Sequence, residues 1–215
     1  MNDSHAQYQR RFVVVEGAIG AGKTTLAKRL HQSLGGKLEL QPYNENPYLE
    51  AFYAANKQQK KAEELGLLKD TAFLFQGFLD LRRIDNHLCN GKIVVADWLF
   101  EKFEIWRWTF PDEEKYRETL RLWHKELPTP DLIIYLNASV DVLLQRIHTR
   151  NRATEKSIEP DYIQILVQRH HDFFDFYPED RVRLITVNSD KFSVCDDKQY
   201  QRLFGDITLR LDQLR

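Results

Sequence analysis

The sequence predicts an α/β fold, a five-stranded parallel sheet flanked by helices, and three observations support it. Short strand-like segments alternate along the chain with segments of helical periodicity. Strands that are separated by helices pair in parallel through right-handed crossovers. The 215 residues are 42% apolar and 29% charged, a globular mixture, and no internal repeat or long linker divides them. We therefore expect one domain over residues 1–215, with residues 1–10 flexible.

Five strands and six helices are predicted in order along the chain. The strands are short apolar or alternating runs at residues 11–16, 37–41, 92–97, 131–136 and 181–187. Apolar residues spaced three and four apart predict helices at residues 23–34, 46–56, 68–90, 140–149, 158–177 and 198–214. In the third helix the apolar stripe, which we expect to belong to the core, consists of Leu68, Ala72, Phe75 and Leu79.

Composition excludes several classes of protein. Basic and acidic residues nearly cancel, 31 against 32, which argues against a general binder of nucleic acid or membrane surfaces. No apolar run approaches the roughly 20 residues of a membrane span, and the polar first eleven residues lack the apolar stretch of a signal peptide. Two cysteines, Cys89 and Cys195, are too few for a disulfide framework or a zinc cluster. We expect a cytoplasmic protein without a nucleic-acid or membrane partner.

The most specific motif is a glycine-rich segment that follows the first strand and opens the first helix. It matches the phosphate-binding pattern G-x-x-x-x-G-K-[ST] in full, in the strand-to-helix setting that the mechanism requires. Small residues let backbone N–H groups surround a phosphate, and the helix N-terminus adds partial positive charge. A glycine-rich turn that binds nothing is the alternative. The predicted triphosphate-binding residues are Gly17, Ala18, Ile19, Gly20, Ala21, Gly22, Lys23, Thr24 and Thr25.

Three oxygen-bearing side chains are candidate ligands of Mg²⁺. The Thr24 hydroxyl belongs to the phosphate-binding motif itself. Asp97 ends the third strand, at the carboxyl edge of the sheet where ligands of such folds collect, although an aspartate that only caps the next helix would look the same. Glu16, just before the glycine-rich segment, is the third candidate.

Five segments occur in the order and spacing of one known family: VEGAIGAGKTTL, NPYLEAFY, the helix bearing FLFQ, PDLIIYL and RIHTRNRATE. Through them the chain resembles the deoxynucleoside kinase family, and its bacterial branch in particular, over nearly its whole length. The resemblance implies a five-stranded parallel sheet and usually a homodimer. It also implies transfer of the γ-phosphoryl group of ATP to the 5′-hydroxyl of a deoxyribonucleoside, with Mg²⁺, in nucleotide salvage.

The resemblance assigns nucleoside-binding roles to four residues; a fifth candidate, Trp98, stands where many family members have an arginine. Gln76 and Arg83 lie seven residues apart and so share one helix face, and a glutamine amide offers both a donor and an acceptor to a base edge. Family members place a glutamine and often an arginine at these positions, although the pair could also be solvated surface residues. Tyr53 and Glu155 match positions that bind the sugar 3′-hydroxyl, and Trp98 is expected to shape the pocket.

An arginine-rich segment over about residues 149–157 resembles the family's mobile lid. Arg146, Arg150 and Arg152 would neutralise charge on the transferring phosphoryl group, since planar guanidinium groups bind its oxygens bidentately. An ordinary solvated loop would have the same composition. After the fifth strand, Asp190 and Phe192 match a family loop that packs against adenine.

The pattern departs from the family at the catalytic base. The family has a glutamate at the end of the second strand, where this chain has Gln41, which cannot accept a proton at neutral pH. Either Glu39, two residues earlier on the same strand face, takes the role, or the enzyme works without a carboxylate base. Phosphoryl transfer depends mostly on positioning and charge neutralisation, so such an enzyme would be slow but active.

Two other functions fit the same motifs. A nucleotide-binding regulatory relative that lost catalysis with the change at Gln41 would bind ATP and form no product. Another small-molecule kinase, such as a nucleoside monophosphate kinase, would need a clamp for the substrate phosphate. Outside the lid arginines the sequence shows no such clamp.

Overall fold

The computed structural model describes residues 10–55, 59–106, 118, 120–123, 125–177 and 183–213. Its five strands are β1 (Arg11–Gly17), β2 (Lys37–Glu39), β3 (Ile93–Ala96), β4 (Leu132–Asn137) and β5 (Arg183–Asn188). Its helices are α1 (Lys23–Leu34), α2 (Leu49–Ala54), α3 (Gln59–Cys89), α4 (Lys102–Trp106), α5 (Val140–Arg150), α6 (Pro160–Asp175) and α7 (Asp197–Asp212). Short 3₁₀ turns occupy Tyr43–Glu45 and Ala153–Glu155. The expectation about residues 1–10 falls almost entirely outside the described residues.

The five strands form one parallel sheet, as the sequence predicts, and their order in it is β2-β3-β1-β4-β5. Successive residues of β1 point to opposite faces, so Val13 and Val15 pack in one apolar cluster while Phe12 and Val14 pack in another. The central strands are therefore buried on both sides, which explains their continuous apolar sequence. All five carboxyl ends meet at one edge of the sheet.

The second strand is shorter than predicted. It ends at Glu39 instead of Gln41, because the Asp97 carboxylate accepts a hydrogen bond from the Gln41 backbone N–H at 2.8 Å. Pro42 follows and has no N–H to donate to a ladder. Gln41 is thereby released from the sheet into the loop that follows β2.

Helix α3 begins nine residues before the predicted start and buries a different face. The residues expected in the core include Leu68, Phe75 and Leu79, which are 45%, 59% and 60% exposed in the single chain. That prediction is wrong because α3 is apolar on two faces, and periodicity cannot tell which face meets the sheet. The face that packs on the sheet carries Leu74, Leu81, Ile84 and Leu88.

The remaining boundaries agree with the predictions to within a few residues. The exception is the helix predicted at residues 46–56, of which α2 covers Leu49–Ala54. In the described part of the chain no helix combines the length and apolar character needed to cross a membrane.

Candidate active site

The glycine-rich segment forms a loop between β1 and α1, the setting that its pattern predicts. Gly20 and Gly22 have φ angles of 89° and 102°, in the left-handed region that glycine tolerates best. At Gly17 a Cβ atom would lie 2.6 Å from the Leu136 carbonyl oxygen, so only glycine lets the loop approach β4 this closely. The loop therefore presents its backbone at the N-terminus of α1, where anions bind favourably.

Lys23 folds back over this loop. Its Nζ atom donates hydrogen bonds to the carbonyl oxygens of Gly17 at 2.6 Å and Ala18 at 3.2 Å. Burial lowers the pKa of Lys23, and the carboxylates of Glu16 and Asp97 oppose this effect. Both partners are neutral carbonyls, so the ammonium group can exchange them for phosphate oxygens at small cost.

Thr24 and Asp97 place two oxygen ligands side by side. The Thr24 hydroxyl donates to Asp97 Oδ2 at 2.5 Å, while Asp97 Oδ1 accepts from Gln41 N. A hydroxyl and a carboxylate next to a phosphate loop fit Mg²⁺, which takes one or two protein oxygens together with phosphates and water. Among the described residues, no three His, Cys, Asp or Glu side chains converge into a metal site.

Glu16 is placed differently from the other two candidate ligands. It is fully buried, and its two oxygens accept hydrogen bonds from the backbone N–H groups of Gly17 and Leu99, each at 2.8 Å. Its carboxylate thus ties the start of the phosphate loop to the segment after β3. It does not line the cavity described next.

A cavity of about 370 Å³ adjoins the phosphate loop. Its charged lining has five cations and two carboxylates, an excess of positive charge that suits a polyphosphate. Apolar and aromatic side chains supply much of the remaining wall. Of the predicted site residues it brings together Ile19, Gly20, Gly22, Lys23, Thr24, Thr25, Gln41, Tyr53, Asp97, Arg150, Arg152 and Glu155.

Within the predicted lid, two arginines are held by one buried carboxylate. Glu155 accepts two hydrogen bonds from Arg150, from Nε at 2.9 Å and from a terminal nitrogen at 2.8 Å, and one from Arg152 at 3.4 Å. The Arg152 guanidinium also lies 4.3 Å from the centre of the Tyr43 ring. Burial, aided by Glu155, raises the pKa of Tyr53, whose ring contacts that of Tyr162. Tyr53 and Glu155, the predicted sugar-binding pair, both line the cavity.

Arg146 faces the phosphate loop from outside the cavity. It donates to the Ala21 carbonyl at 3.3 Å and to the hydroxyl and carbonyl of Ser189 at 2.8 and 2.7 Å. The next residue along, Asp190, accepts from Ser139 N at 2.9 Å, and Phe192 packs against the core. The loop after β5 is thereby fixed against the phosphate loop, but Arg146, Asp190 and Phe192 do not line the cavity.

The predicted base-reading residues belong to a chain of polar contacts along α3. Gln76 donates to Asp80 at 2.8 Å, and Arg83 donates to the same Asp80 oxygen at 2.9 Å. Arg83 also binds Glu39, at 2.7 Å from a terminal nitrogen, and this hydrogen bonding raises the pKa of Arg83. We call these four residues the α3 polar chain. Neither Gln76 nor Arg83 lines the cavity.

The two candidates for the base position are thus separated. Gln41 lines the cavity, whereas the carboxylate of Glu39 is bound by Arg83 and is not part of the lining. The Gln41 side-chain oxygen accepts a hydrogen bond from Lys102 Nζ at 2.5 Å. Trp98 is 2% exposed and lies under that lysine, with Nζ 5.5 Å from its ring centre, instead of lining the cavity.

Several lining residues were missed by the sequence reasoning. Lys102 could have been suspected as a lone cation within the aromatic segment WLFEKFEIW, directly after the strand that ends at Asp97. The others come from helices and loops whose orientation no local pattern fixes. They are Lys28, Tyr43, Leu49, Phe73 and Phe103.

A phosphate loop between β1 and α1, with an aspartate at the end of β3, defines the P-loop class of nucleoside triphosphate-binding proteins. Comparison with known proteins narrows this class. The family model described as deoxynucleoside kinase matches residues 13–208. The chain therefore belongs to the deoxynucleoside kinase family, as its motifs predicted.

Individual relatives agree with this placement. The chain is 33% identical over 203 residues to deoxyguanosine kinase of Bacillus subtilis strain 168, covering 91% of this chain and 95% of that protein. It is 26% identical over 170 residues to the deoxyadenosine/deoxycytidine kinase of the same strain, covering 75% of each. The solved structure of deoxyadenosine kinase from M. mycoides with bound dATP matches with a TM-score of 0.69 at 19% identity, covering 92% of this chain and 99% of that chain. That likeness confirms the predicted fold.

Proposed function

We propose that this protein transfers the γ-phosphoryl group of ATP to the 5′-hydroxyl of a purine deoxynucleoside, as a step of nucleotide salvage. The observation that carries the proposal is the cavity in which Lys23, Thr24 and Asp97 adjoin Tyr53 and Glu155. Family membership supports the reaction, and the names of the relatives, deoxyguanosine kinases among them, support a purine.

The phosphate-binding residues would divide the work as follows. Backbone N–H groups of residues 17–25 and the Lys23 ammonium bind the β- and γ-phosphates of ATP. Thr24 and Asp97 hold Mg²⁺, which when bound neutralises phosphate charge; Glu16 supports the loop from behind. Residues 149–157 act as the lid, and Arg150 and Arg152 exchange Glu155 for phosphoryl oxygens as it closes. Arg146 fixes the loop against the segment bearing Asp190 and Phe192, which we assign to the adenine side.

The nucleoside would lie against the aromatic part of the lining. We assign Tyr53 and Glu155 to the 3′-hydroxyl, because a phenol can donate to it and a carboxylate can accept from it. We assign three residues that do not line the cavity, Gln76, Arg83 and Trp98, to the base side. They would shape the pocket indirectly, by fixing the helix and the loop on which they lie. Holding the 3′-hydroxyl at one end of the sugar favours correct alignment of the 5′-oxygen at the other end.

We also propose that the protein works as a cytoplasmic homodimer. The exposed face of α3 carries Leu68, Phe75 and Leu79, and the Phe75 ring contacts Trp123, beside exposed Leu122. Monomeric proteins rarely expose contiguous apolar surface of this kind. Light scattering of the purified chain should give twice the 25.6 kDa monomer mass. A monomer mass at micromolar concentration would contradict the dimer.

The activity is tested by incubating the purified chain with Mg·ATP and each of the four deoxynucleosides, and detecting monophosphate by mass spectrometry. We expect product with deoxyguanosine or deoxyadenosine, and a loss of about 10²- to 10³-fold in Lys23→Ala because a preorganised cation is removed. Lys198→Ala, at an exposed lysine of α7, is the matched control and should behave as the wild type. ATP binding without product from any deoxynucleoside would favour the regulatory alternative raised by Gln41.

A further inference from the structure

Two buried lysines of this protein have very different partners. Lys69 of α3 is 2% exposed, and its ammonium pairs with the neighbouring carboxylate of Asp70. Lys102 is 5% exposed, and its ammonium donates instead to a neutral group, the side-chain oxygen of Gln41. Among the described residues, no carboxylate forms an ion pair with Lys102.

The charge of Lys102 is therefore incompletely compensated. Burial, with a smaller contribution from Lys23 on α1, lowers the pKa of Lys102 to about 8. The carboxylates of Glu16 on β1, Asp97 after β3 and Asp80 on α3 act in the opposite direction without overcoming burial. An ammonium group has three donors, and a buried cation is costly unless it is paired. The buried Lys102 ammonium is therefore suited to bind an anion.

The place of Lys102 indicates which anion this is. Lys102 and Gln41 line the same cavity as Lys23, Thr24 and Asp97. The rings of Trp98 and Phe103 lie 5.5 and 5.8 Å from its Nζ atom and confine the ammonium on the protein side. The anion that reaches this cavity in the proposed reaction is the phosphoryl group passing from ATP to the nucleoside.

We propose that Lys102 is a second phosphoryl-binding lysine, which contacts the transferring group in addition to Lys23 and is kept available by the neutral Gln41; this rests on the proposed kinase function. In the transfer step, the 5′-oxygen bonds to phosphorus as the bond to the bridging oxygen breaks. ADP leaves with that electron pair, and the hydroxyl proton passes to an oxygen of the phosphoryl group. Lys102 stays protonated and stabilises the negative charge on the equatorial oxygens.

This role also gives Gln41 a function as a positioning residue. A carboxylate at position 41 would sit within hydrogen-bond distance of the ammonium, which now lies 2.5 Å from the glutamine oxygen. It would pair with Lys102 and withdraw it from the phosphoryl group. We therefore expect Gln41→Glu to lower turnover, the opposite of the result expected if this position only lacks a base.

Steady-state kinetics of Lys102→Met, Lys102→Arg and Gln41→Glu test the proposal. We expect kcat to fall about 10²-fold in Lys102→Met with the nucleoside KM within about threefold, and to fall less than about tenfold in Lys102→Arg, which keeps the charge. Gln41→Glu, at a partly exposed residue, should lose about tenfold in kcat. The wild-type kcat should decline as pH rises and Lys102 deprotonates, and this decline should disappear in Lys102→Arg.

Binding of a transition-state mimic gives a readout that does not depend on turnover. In calorimetry with ADP, Mg²⁺ and aluminium fluoride, Lys102→Met should bind the fluoride complex at least about tenfold more weakly while ADP alone binds normally. A rise of kcat in Gln41→Glu would overturn the proposal and make position 41 the site of the base. A loss of activity at low pH that disappears in Lys102→Met would also overturn it, because Lys102 would then act as the base. Wild-type protein without product would refute the kinase function itself, whereas active wild type with unchanged Lys102→Met refutes only this inference.

Discussion

The phosphate loop and the α3 polar chain bind their partners in contrasting ways. The loop over residues 17–24 is built from one continuous segment, and the Lys23 ammonium in it donates only to neutral backbone carbonyls. The polar chain joins Glu39 of β2 to Gln76, Asp80 and Arg83 of α3, and each of its charged groups already has a protein partner. The phosphate loop can therefore exchange its neutral partners for a ligand, whereas the charged groups of the α3 polar chain are already paired with one another.

This difference shows that the chemistry of a side chain does not reveal whether the side chain is available. Glu39 and Asp97 are both buried carboxylates near the carboxyl edge of the sheet. Asp97 is bound by a hydroxyl and a backbone N–H beside the cavity, while Glu39 is bound by a guanidinium group away from the lining. Neutral partners can be exchanged for a metal or a phosphate more easily than an opposite charge can.

The largest effect that separates the regions is expected at Asp97. Asp97→Asn should lower kcat by about 10²-fold or more and raise the Mg²⁺ concentration needed for half-maximal activity, because an amide is a poorer magnesium ligand than a carboxylate. Activity measured across a magnesium titration checks this. Glu16→Gln is the matched control: one of its backbone N–H partners would face an amide NH₂ group, which costs about 1–3 kcal/mol of unfolding free energy.

The control distinguishes ligand from support. The Mg²⁺ requirement of Glu16→Gln should equal that of the wild type although its thermal midpoint falls. If instead Glu16→Gln shifts the magnesium requirement as strongly as Asp97→Asn does, Glu16 is a magnesium ligand as well, and its assignment as a support of the loop is wrong.

The same contrast explains how far sequence could lead. The position and backbone conformation of the phosphate loop were predictable, since Gly20, Gly22 and Lys23 satisfy requirements that are local to one strand-to-helix turn. The sheet was predictable too, because strands buried on both faces leave continuous apolar runs. Which face of α3 is exposed was not predictable, because Leu68 and Leu74 lie on different faces of the helix and both faces are apolar.

At the candidate site, contacts between residues that are distant in sequence limit what could be predicted. Glu39 and Arg83 are 44 residues apart, and Gln41 and Lys102 are 61 apart. Their pairing depends on how α3 and α4 pack on the sheet, which hydrophobic periodicity does not specify. Sequence reasoning therefore left Glu39 and Gln41 as alternatives for the base position, and only the tertiary structure shows that Gln41 lines the cavity and Glu39 does not.

The smallest expected effect concerns the alternative base, Glu39. In Glu39→Gln the ion pair with Arg83 is lost, but the Arg83 side chain is 50% exposed, so solvent screening limits the loss to about 1 kcal/mol of unfolding free energy. Turnover should stay within about threefold of the wild type, because the carboxylate does not line the cavity. Denaturant unfolding and steady-state kinetics on the same preparation check both values.

The control variant is Arg83→Met, which breaks the ion pair from the other side and should lower the free energy of unfolding by a similar amount. A fall of 10²-fold or more in kcat for Glu39→Gln, but not for Arg83→Met, would mean that the carboxylate itself takes the 5′-hydroxyl proton and that the α3 polar chain opens during catalysis.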